Sequence, residues 1–320
     1  MSTRNEVLKI LESCRGEPVS GGFMARKIGV TRNSVWKAVE KLRSEGYTIT
    51  GGSGIGYKLE EDDILSAEGI LTFLSGKVSV QPRIICYDCI DSTNKEAKRI
   101  ALEDPDCPVL IVADEQTGGS GRNGRPFWSP GGSGLYMSFL LRPDFEIGKA
   151  PLLTTSASVA VCEAIEAVTG NRCLIKWVND IYLDGRKICG ILTEAVTDFE
   201  SGNIQHLIVG IGINCKETAL PDELQGVAGF IGGEFSRNEL AAKVAELFLP
   251  MAENIDDLSF IDRYRERSMV TGKEITVTHI GSAEKRRATA LGIAGNGGLI
   301  VRWENGVEET LTSGEISIRF

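Results

Sequence analysis

A run of four acidic residues, 60–63, divides the 320-residue sequence into two parts of different character. The 60 residues up to the start of this run contain ten Lys or Arg against six Glu, although the whole chain carries a net charge of −9. A small basic part is therefore joined to a large acidic one, an arrangement typical of a nucleic-acid-binding module attached to a different body. The length is sufficient for two or three domains.

The basic part has the pattern of three short helices followed by a β-hairpin. Gly29 ends the second predicted helix, and Thr31 is a suitable N-cap for the third. Residues 47–59 place two short β-type runs on either side of a Gly-rich turn. This order predicts a winged helix-turn-helix over residues 1–62.

The start of the third helix is the candidate DNA contact, because a recognition helix contacts bases through its N-terminal residues. The candidate residues are Thr31, Arg32, Asn33, Ser34 and Lys37. The alternative is a solvated charged face, since any small three-helix unit can show this periodicity.

Beyond the acidic run, the sequence alternates strand-like runs with helical stretches as far as residue 270, which predicts a mixed α/β domain over residues 65–270. The last fifty residues contain only short strand-like runs, separated by turns at Asn296-Gly-Gly298 and Glu304-Asn-Gly306. We expect a small β-barrel over residues 271–320. The predicted fold class is therefore α/β (α+β), in several domains.

Membrane, metal and redox functions have little support in the sequence. No apolar run is expected to reach the roughly 20 residues of a membrane span, and the N-terminus does not resemble a signal peptide, so we expect a cytoplasmic protein without a membrane partner. Cys86 and Cys89 lack a second Cys pair, and His206 and His279 are far apart. We therefore expect buried free thiols, no metal site, no redox cofactor and no Ser-His-Asp triad.

A Gly-rich segment over residues 115–128 follows a predicted strand. Its glycines allow a ligand to approach the backbone closely, and Arg122 and Arg125 supply cations suited to phosphate or carboxylate. Neither a Walker A loop nor a dinucleotide fingerprint is present. An ordinary Gly-rich hairpin loop is the alternative.

Residues 175–194 predict a strand, a turn at Asp184-Gly185 and a second strand, with polar side chains among apolar neighbours. Ionised groups in such surroundings are costly unless they meet a partner or a ligand. A structural salt bridge is one explanation. The other is a pocket for an anionic substrate, in which Lys187 meets the charge that develops at a phosphorus atom.

Taken in order, these segments resemble biotin protein ligase. The resemblance rests on Asp91-Ser-Thr-Asn94, on Gln116 with the following Gly-rich loop, on Lys-Trp-x-Asn-Asp from Lys176 with Gly-Arg-Lys-x-x-Gly-Ile-Leu behind it, and on Gly210-Ile-Gly-Ile-Asn214. It covers nearly the whole chain, including the three-domain layout. The sequence departs from the family at Ser120, where an arginine is usual, and at Val178, where proline is common.

The resemblance implies a central domain of the class II synthetase-like type and a C-terminal SH3-like barrel. It implies formation of biotinyl-5′-adenylate from biotin and ATP with Mg²⁺, followed by transfer of biotin to a lysine of a biotin carboxyl carrier protein. It also implies repression of biotin genes at operator DNA, with the adenylate as corepressor and a homodimer when the adenylate is bound.

The site residues follow from the same resemblance. Those implied for biotin are Ser92, Thr93, Asn94, Gln116, Ser120, Gly121, Arg122 and Lys187. Those implied for ATP or the adenylate are Arg122, Trp128, Lys176, Asn179, Asp180 and Asn214. Lys187 and Arg122 are the implied catalytic residues, and Phe230 lies in the region expected for an adenine-stacking aromatic without belonging to a motif.

Two other functions are compatible with this pattern. A biotin-sensing repressor without catalysis would use the α/β domain for binding alone, although Lys187 and Arg122 are both present. A lipoate-type ligase would share the catalytic fold, although the winged helix and the β-barrel favour the biotin enzyme.

Overall fold

The structure is a computed structural model that describes residues 2–52, 54–74, 78–103, 105–197, 204–278 and 284–318. The chain forms two compact units. The first comprises Met1–Gly76 with Ser236–Ala242, and the second comprises Lys77–Phe235 with Lys243–Phe320. His279, one of the two histidines considered in the sequence analysis, lies outside the described residues.

The first unit contains the predicted helix-turn-helix and hairpin. Its elements are α1 (Thr3–Ser13), α2 (Gly21–Ile28), α3 (Arg32–Ser44), β1 (Ile49–Gly52), β2 (Gly56–Leu59) and α4 (Ala67–Phe73). Gly29 takes a left-handed backbone conformation, φ 79°, which ends α2 and allows the tight turn. The Thr31 side chain then caps α3 by accepting from the backbone N–H of Ser34.

The first unit continues past the acidic run because later residues pack onto it. The Arg237 guanidinium donates to Asp63 at 2.6 Å, and the Asn238 side chain accepts from the backbone N–H of Ser66 at 3.0 Å. A Cβ atom on Gly69 would lie 2.7 Å from the Asn238 amide nitrogen. The start of a distant helix is thereby fixed against α4.

The second unit is built on a mixed seven-stranded sheet. Its strands are β3 (Arg83–Ile90), β4 (Val109–Gln116), β5 (Gly134–Leu141), β6 (Leu174–Lys176), β7 (Asp180–Leu183), β8 (Arg186–Thr197) and β9 (Ile204–Asn214). The spatial order is β3-β4-β5-β9-β8-β7-β6, with β3 and β4 parallel and the other neighbours antiparallel. The remaining helices are α5 (Thr93–Ala101), α6 (Ala150–Thr169), α7 (Arg237–Glu253) and α8 (Ser259–Glu266).

Helix α6 corrects one expectation about apolar runs. Its 20 residues, with a mean hydropathy of 1.3, are long and apolar enough to cross a membrane. However, 72% of the apolar window is buried inside the protein, where the helix packs against β8. A helix that is apolar on most sides is also what the centre of a soluble domain requires.

The strand predicted from residue 175 to the turn at Asp184 is interrupted, which corrects the sequence-based prediction. A turn at residues 177–179 separates β6 from β7 and pairs Lys176 with Asp180 across the new hairpin. Distant parts of the chain hold this turn: the Trp177 indole N–H donates to the Gly297 carbonyl at 3.0 Å, and the Tyr264 hydroxyl donates to the Val178 carbonyl at 3.1 Å.

The last fifty residues form a five-stranded antiparallel sheet. Its strands are β10 (Glu274–Thr278), β11 (Lys285–Ile293), β12 (Leu299–Trp303), β13 (Glu308–Leu311) and β14 (Glu315–Ile318), in the order β13-β12-β11-β10-β14. Alternate residues such as Ile275, Val277 and Val301 are buried, as the two-residue period of a strand requires.

Candidate functional site

One cavity of the second unit, of about 320 Å³, is lined by all thirteen residues that the resemblance implies for biotin and nucleotide. The volume is at the lower end of the range for small-molecule sites. Sequence segments as far apart as those of Ser92 and Asn214 therefore converge on one concave surface.

The parallel pairing of β3 and β4 assembles one end of this cavity. Ile90 is in register with Gln116, so both strands end at the same edge of the sheet. The chain then enters α5 through Ser92, its N-cap, which carries no side-chain capping bond. As a result, the first turn of α5 lies directly beside Gln116.

Buried hydrogen bonds define this polar end. Gln116 Oε1 accepts from the Thr93 backbone N–H at 2.8 Å, and Gln116 Nε2 donates to Ser129 Oγ at 3.1 Å. Ser138 Oγ lies 2.7 Å from Thr93 Oγ1 and 2.6 Å from Asn94 Oδ1. The sequence analysis missed Ser129 and Ser138, although a serine within the apolar strand β5 was an available signal.

The Gly-rich loop folds back on itself over the cavity. The Phe127 backbone N–H donates to the Gly119 carbonyl at 2.9 Å, and that of Gly121 donates to the Arg125 carbonyl at 2.8 Å. Ser120 lines the cavity within this loop. The loop is thus a short hairpin, closed by an antiparallel bridge between Ser120 and Pro126, and its residues line the cavity.

The Phe127 ring, which the sequence analysis also missed, fills the space above two glycines. A Cβ atom on Gly212 would lie 2.4 Å from this ring, and one on Gly190 would lie 3.4 Å from it. A Cβ atom on Gly210 would lie 2.1 Å from Asn94 Oδ1. Glycine is therefore required at Gly210 and Gly212, where side chains pack directly on strand β9, whereas a Cβ atom on Gly190 would make an ordinary contact.

Cationic groups line the opposite end. Lys187 Nζ lies 2.6 Å from Asp180 Oδ1, and both side chains are only partly exposed. The structural salt bridge, which was one explanation of the polar residues in segment 175–194, is therefore present. It lies in the cavity wall rather than in the core. Burial lowers the pKa of Lys176 below its usual range, against the opposing effect of the Asp180 charge.

Arg122 links the loop to this cationic end. Its Nη1 donates to Asn179 Oδ1 at 3.2 Å, while Asn179 Nδ2 donates to the Ile191 carbonyl at 2.7 Å. Asn214 Nδ2 donates to the Gly229 carbonyl at 3.0 Å. These side chains therefore have fixed orientations around the cavity.

The C-terminal sheet contributes to the cavity, which the sequence did not indicate. Arg122 Nη2 donates to the Gly314 carbonyl at 3.1 Å, and the Arg125 guanidinium pairs with Glu315 at 2.8 Å. Burial alone would raise the pKa of Glu315, but its hydrogen bond and charge interaction with Arg125 lower it. Phe230 is not among the residues that line the cavity.

The cysteines and the possible metal ligands of the described residues are a further set of groups that the sequence analysis considered. No group of three or more His, Cys, Asp or Glu suited to a metal ion occurs within the described part of the chain. All eight cysteines are described, and none forms a disulfide. Burial raises the pKa of the Cys173 thiol to about 12, which keeps that thiol protonated and unreactive.

The first unit presents a second candidate surface on α3. Thr31 and Ser34 are engaged in capping, with Thr31 Oγ1 accepting from the Ser34 backbone N–H at 3.1 Å. Arg32, Asn33 and Lys37 are exposed. The Trp36 side chain, which is 47% exposed, lies three residues after Asn33 and four after Arg32, so it adds an aromatic group to their side of the helix.

Three protein families match successive parts of the chain. Residues 3–58 match an HTH domain, residues 86–214 match the Biotin/lipoate A/B protein ligase family, and residues 270–319 match the Biotin protein ligase C terminal domain. The matches follow the order of the helix-turn-helix, the cavity-bearing sheet and the C-terminal sheet.

Relatives and solved structures agree with these matches. The chain is 39% identical over 228 residues to the bifunctional ligase/repressor BirA of Bacillus spizizenii, covering 70% of this chain and 69% of that protein. It is 30% identical over 316 residues to BirA of Salmonella typhimurium, covering 95% and 94%. A structure of the Aquifex aeolicus biotin protein ligase in complex with biotin and ATP superposes with a TM-score of 0.61 at 30% identity, covering 74% of this chain and 98% of that one.

Two findings distinguish this chain from a ligase without a DNA-binding part. The matched domains include the HTH domain, and the identity to the bifunctional BirA of Salmonella typhimurium extends over almost the full length. The chain therefore belongs to the family of bifunctional biotin ligase/repressors.

Proposed function

We infer that this protein uses ATP to attach biotin to a carrier protein and represses transcription through its N-terminal helix-turn-helix. The observation that carries this inference is the single cavity that gathers the polar first turn of α5, the Gly-rich loop and the cationic hairpin. Such a cavity suits an elongated ligand with a neutral polar head at one end and negative charge at the other.

We assign the neutral head to the polar end. Ser92, Thr93, Asn94 and Gln116 would hold the ureido group of biotin, and residues 120–122 would cover its valeryl chain and carboxylate. The partly buried hydrogen bonds around Gln116 support this assignment because they hold the polar groups in place before the ligand binds.

The opposite end would hold the nucleotide. Lys187 and Arg122 would lie at the carboxylate and α-phosphate, and the nucleotide would contact Trp128, Lys176, Asn179, Asp180 and Asn214. A carboxylate oxygen of biotin attacks the α-phosphorus, the bond to pyrophosphate breaks, and the lysine amine of the carrier then displaces AMP. Positioning and charge stabilisation carry the first step without a protein nucleophile.

Magnesium fits this arrangement as a companion of ATP. Asp180 would supply the hard carboxylate oxygen that Mg²⁺ prefers, and phosphate oxygens and water would supply most other ligands. The absence of a His, Cys, Asp or Glu cluster among the described residues is compatible with an ion that arrives with the nucleotide.

We propose domain limits of 1–62, 65–270 and 271–320, with a class II synthetase-like central sheet and a C-terminal SH3-like barrel. The largely antiparallel order of the seven-stranded sheet and the five short antiparallel strands support these assignments. The protein would act in the cytoplasm, and the adenylate would favour a homodimer that binds a two-half-site operator, since two-fold symmetry suits such a site.

Biotin-dependent ATP–pyrophosphate exchange tests the ligase activity. The wild-type protein should exchange with biotin and not with lipoate, and Lys187→Ala should lose about 10²–10³-fold in rate if Lys187 stabilises developing charge. Lys285→Ala, at the exposed first residue of strand β11, is the matched control and should behave as wild type. A folded protein that binds biotin without exchange would instead be a sensor-repressor, and exchange with lipoate alone would indicate a lipoate-type ligase.

A further inference from the structure

Glu194 lies outside the cavity lining but holds two residues of α5 at once. Its Oε2 accepts from Asn94 Nδ2 at 2.7 Å, and its Oε1 accepts from Lys98 Nζ at 2.7 Å. Asn94 is 6% exposed and lines the cavity, whereas Lys98 lies one helical turn later and is 45% exposed. The carboxylate therefore connects an outer lysine with the polar end of the cavity.

The charge of Glu194 decides which way the Asn94 amide points. A carboxylate can only accept hydrogen bonds, so the Asn94 nitrogen must face Glu194 and the Asn94 oxygen must face Ser138. Ser138 alone could not fix this orientation, because a hydroxyl both donates and accepts.

The amide orientation in turn decides where the Ser138 hydrogen goes. The hydroxyl is fully buried and has two oxygens in reach, Asn94 Oδ1 at 2.6 Å and Thr93 Oγ1 at 2.7 Å, but it carries only one hydrogen. With the Asn94 oxygen facing it, that hydrogen points to Asn94, because Thr93 has a hydrogen of its own, which it can donate to Gln116 Oε1 at 3.1 Å or to Ser138 Oγ at 2.7 Å. The lone pairs of Thr93 Oγ1 then remain open to an N–H donor in the cavity.

We propose that Glu194 is a positioning residue for the polar end of the cavity. It fixes the Asn94 amide, and through Ser138 it sets Thr93 as an acceptor for a ureido N–H of biotin. This proposal rests on the proposed function, because it concerns how the same cavity recognises biotin.

Exchanging donor and acceptor between the two residues tests the proposal. Asn94→Asp sets two carboxylates against each other, and we expect the Kd for biotin to rise about 30-fold, as for a buried charged group without its partner. The double variant Asn94→Asp with Glu194→Gln restores one donor and one acceptor, and we expect it to return within about threefold of wild type. The KM for ATP should be the same in the wild type, in Asn94→Asp and in the double variant.

The pH dependence separates positioning from general damage. In Asn94→Asp, a proton shared by the facing carboxylates recreates a donor, so biotin affinity should improve as the pH falls toward the carboxyl range. Wild type and the double variant contain one carboxylate at this contact and should not show that gain. Lys98→Met, which removes only the outer ion pair, is the matched control and should keep the wild-type Kd.

Any of three results would overturn the proposal. Asn94→Asp could bind biotin with the wild-type Kd, the double variant could have a Kd as high as that of Asn94→Asp, or Lys98→Met could lose as much biotin affinity as Asn94→Asp. If Asn94→Asp does not fold, as judged by thermal melting, Glu194→Ala replaces it and must weaken biotin binding while Lys98→Met does not. Failure of wild-type protein to bind biotin or exchange pyrophosphate would count against the proposed function, whereas normal wild-type exchange with no rescue would count against Glu194 alone.

Discussion

Arg125 and Glu315, 190 residues apart in sequence, form an ion pair of 2.8 Å that joins the Gly-rich loop to the first residue of the C-terminal strand β14. Asn123 Nδ2 donates to the other oxygen of the same carboxylate at 2.7 Å. The Arg122 hydrogen bond to the Gly314 carbonyl lies next to both. The C-terminal sheet therefore restrains the loop that covers the cavity.

Removal of this restraint should weaken substrate binding more than it weakens folding. We expect Glu315→Ala to raise the KM for ATP about three- to tenfold, since partly exposed ion pairs contribute modestly. The difference from wild type should shrink as salt is added, because exposed charges are screened. Measurement of KM across a salt series checks both points.

Glu308→Ala is the matched control, because it breaks the exposed Arg302–Glu308 pair of 2.8 Å in the same sheet without touching the loop. A Glu308→Ala variant with the same rise in KM would show that general damage to the C-terminal sheet, rather than loop restraint, is responsible.

The contact between Gly212 and Phe127 leads to a second prediction. Because a Cβ atom on Gly212 would lie 2.4 Å from the Phe127 ring, Gly212→Ala must displace that ring and the loop that carries it. We expect pyrophosphate exchange to fall at least about tenfold, with a loss of stability in the range of overpacked cores, about 1–3 kcal/mol. Exchange rates and denaturant unfolding measure the two effects.

Gly295→Ala provides the comparison, since a Cβ atom there meets nothing within 4 Å and the position has no left-handed backbone angle. Equal losses in the two variants would indicate that the effect comes from the alanine backbone preference and not from the Phe127 contact.

The parts of this fold that follow from local chemistry could be predicted from the sequence. The Gly29 turn and the Thr31 cap place α3 correctly within a residue or two, because both act on adjacent backbone groups. The family motifs identified the cavity residues for a similar reason, because the glycines and polar groups of each motif lie within a few positions of one another in the sequence.

What the sequence could not predict depends on contacts between distant segments. The turn at residues 177–179 interrupts a run of strand-forming residues because Gly297 and Tyr264 bind it from elsewhere in the chain. Glu194 and Glu315 belong to no local motif, and they matter only because folding brings Asn94 and Arg125 to them. Tertiary contacts of this kind leave no periodic signal in the sequence.

The lowered pKa of Lys176 predicts proton uptake when a phosphate ligand binds. Burial favours the neutral amine in the free protein, whereas a nearby phosphate would favour the charged form and move its pKa back up. Between the two values the lysine is partly neutral before binding and charged after it, so binding takes up a proton. At lower pH the lysine is charged in both states and contributes no uptake.

Calorimetry of ATP binding in two buffers of different ionisation enthalpy measures this uptake. We expect it to grow as the pH rises from neutrality toward the ordinary lysine value near 10.4, because the free-protein pKa lies below that value. Lys176→Met should remove the alkaline increase and leave any uptake by other groups. An increase of the same size in Lys176→Met would assign the proton to a different residue.

The last prediction concerns the DNA surface of α3. Lys37 is exposed and one turn beyond Asn33, where a lysine on a recognition helix can reach a phosphate. Without this contact, DNA binding releases one counterion fewer. Lys37→Ala should therefore reduce the magnitude of the slope of log affinity against log salt by about 1. Fluorescence anisotropy with a duplex selected from random DNA by the wild-type protein, titrated at several salt concentrations, measures the slope. Lys9→Ala removes another exposed lysine, on α1, and should leave the slope unchanged. If both variants lower the slope equally, the lysines act through the overall charge of the unit, and α3 has no special place in DNA binding.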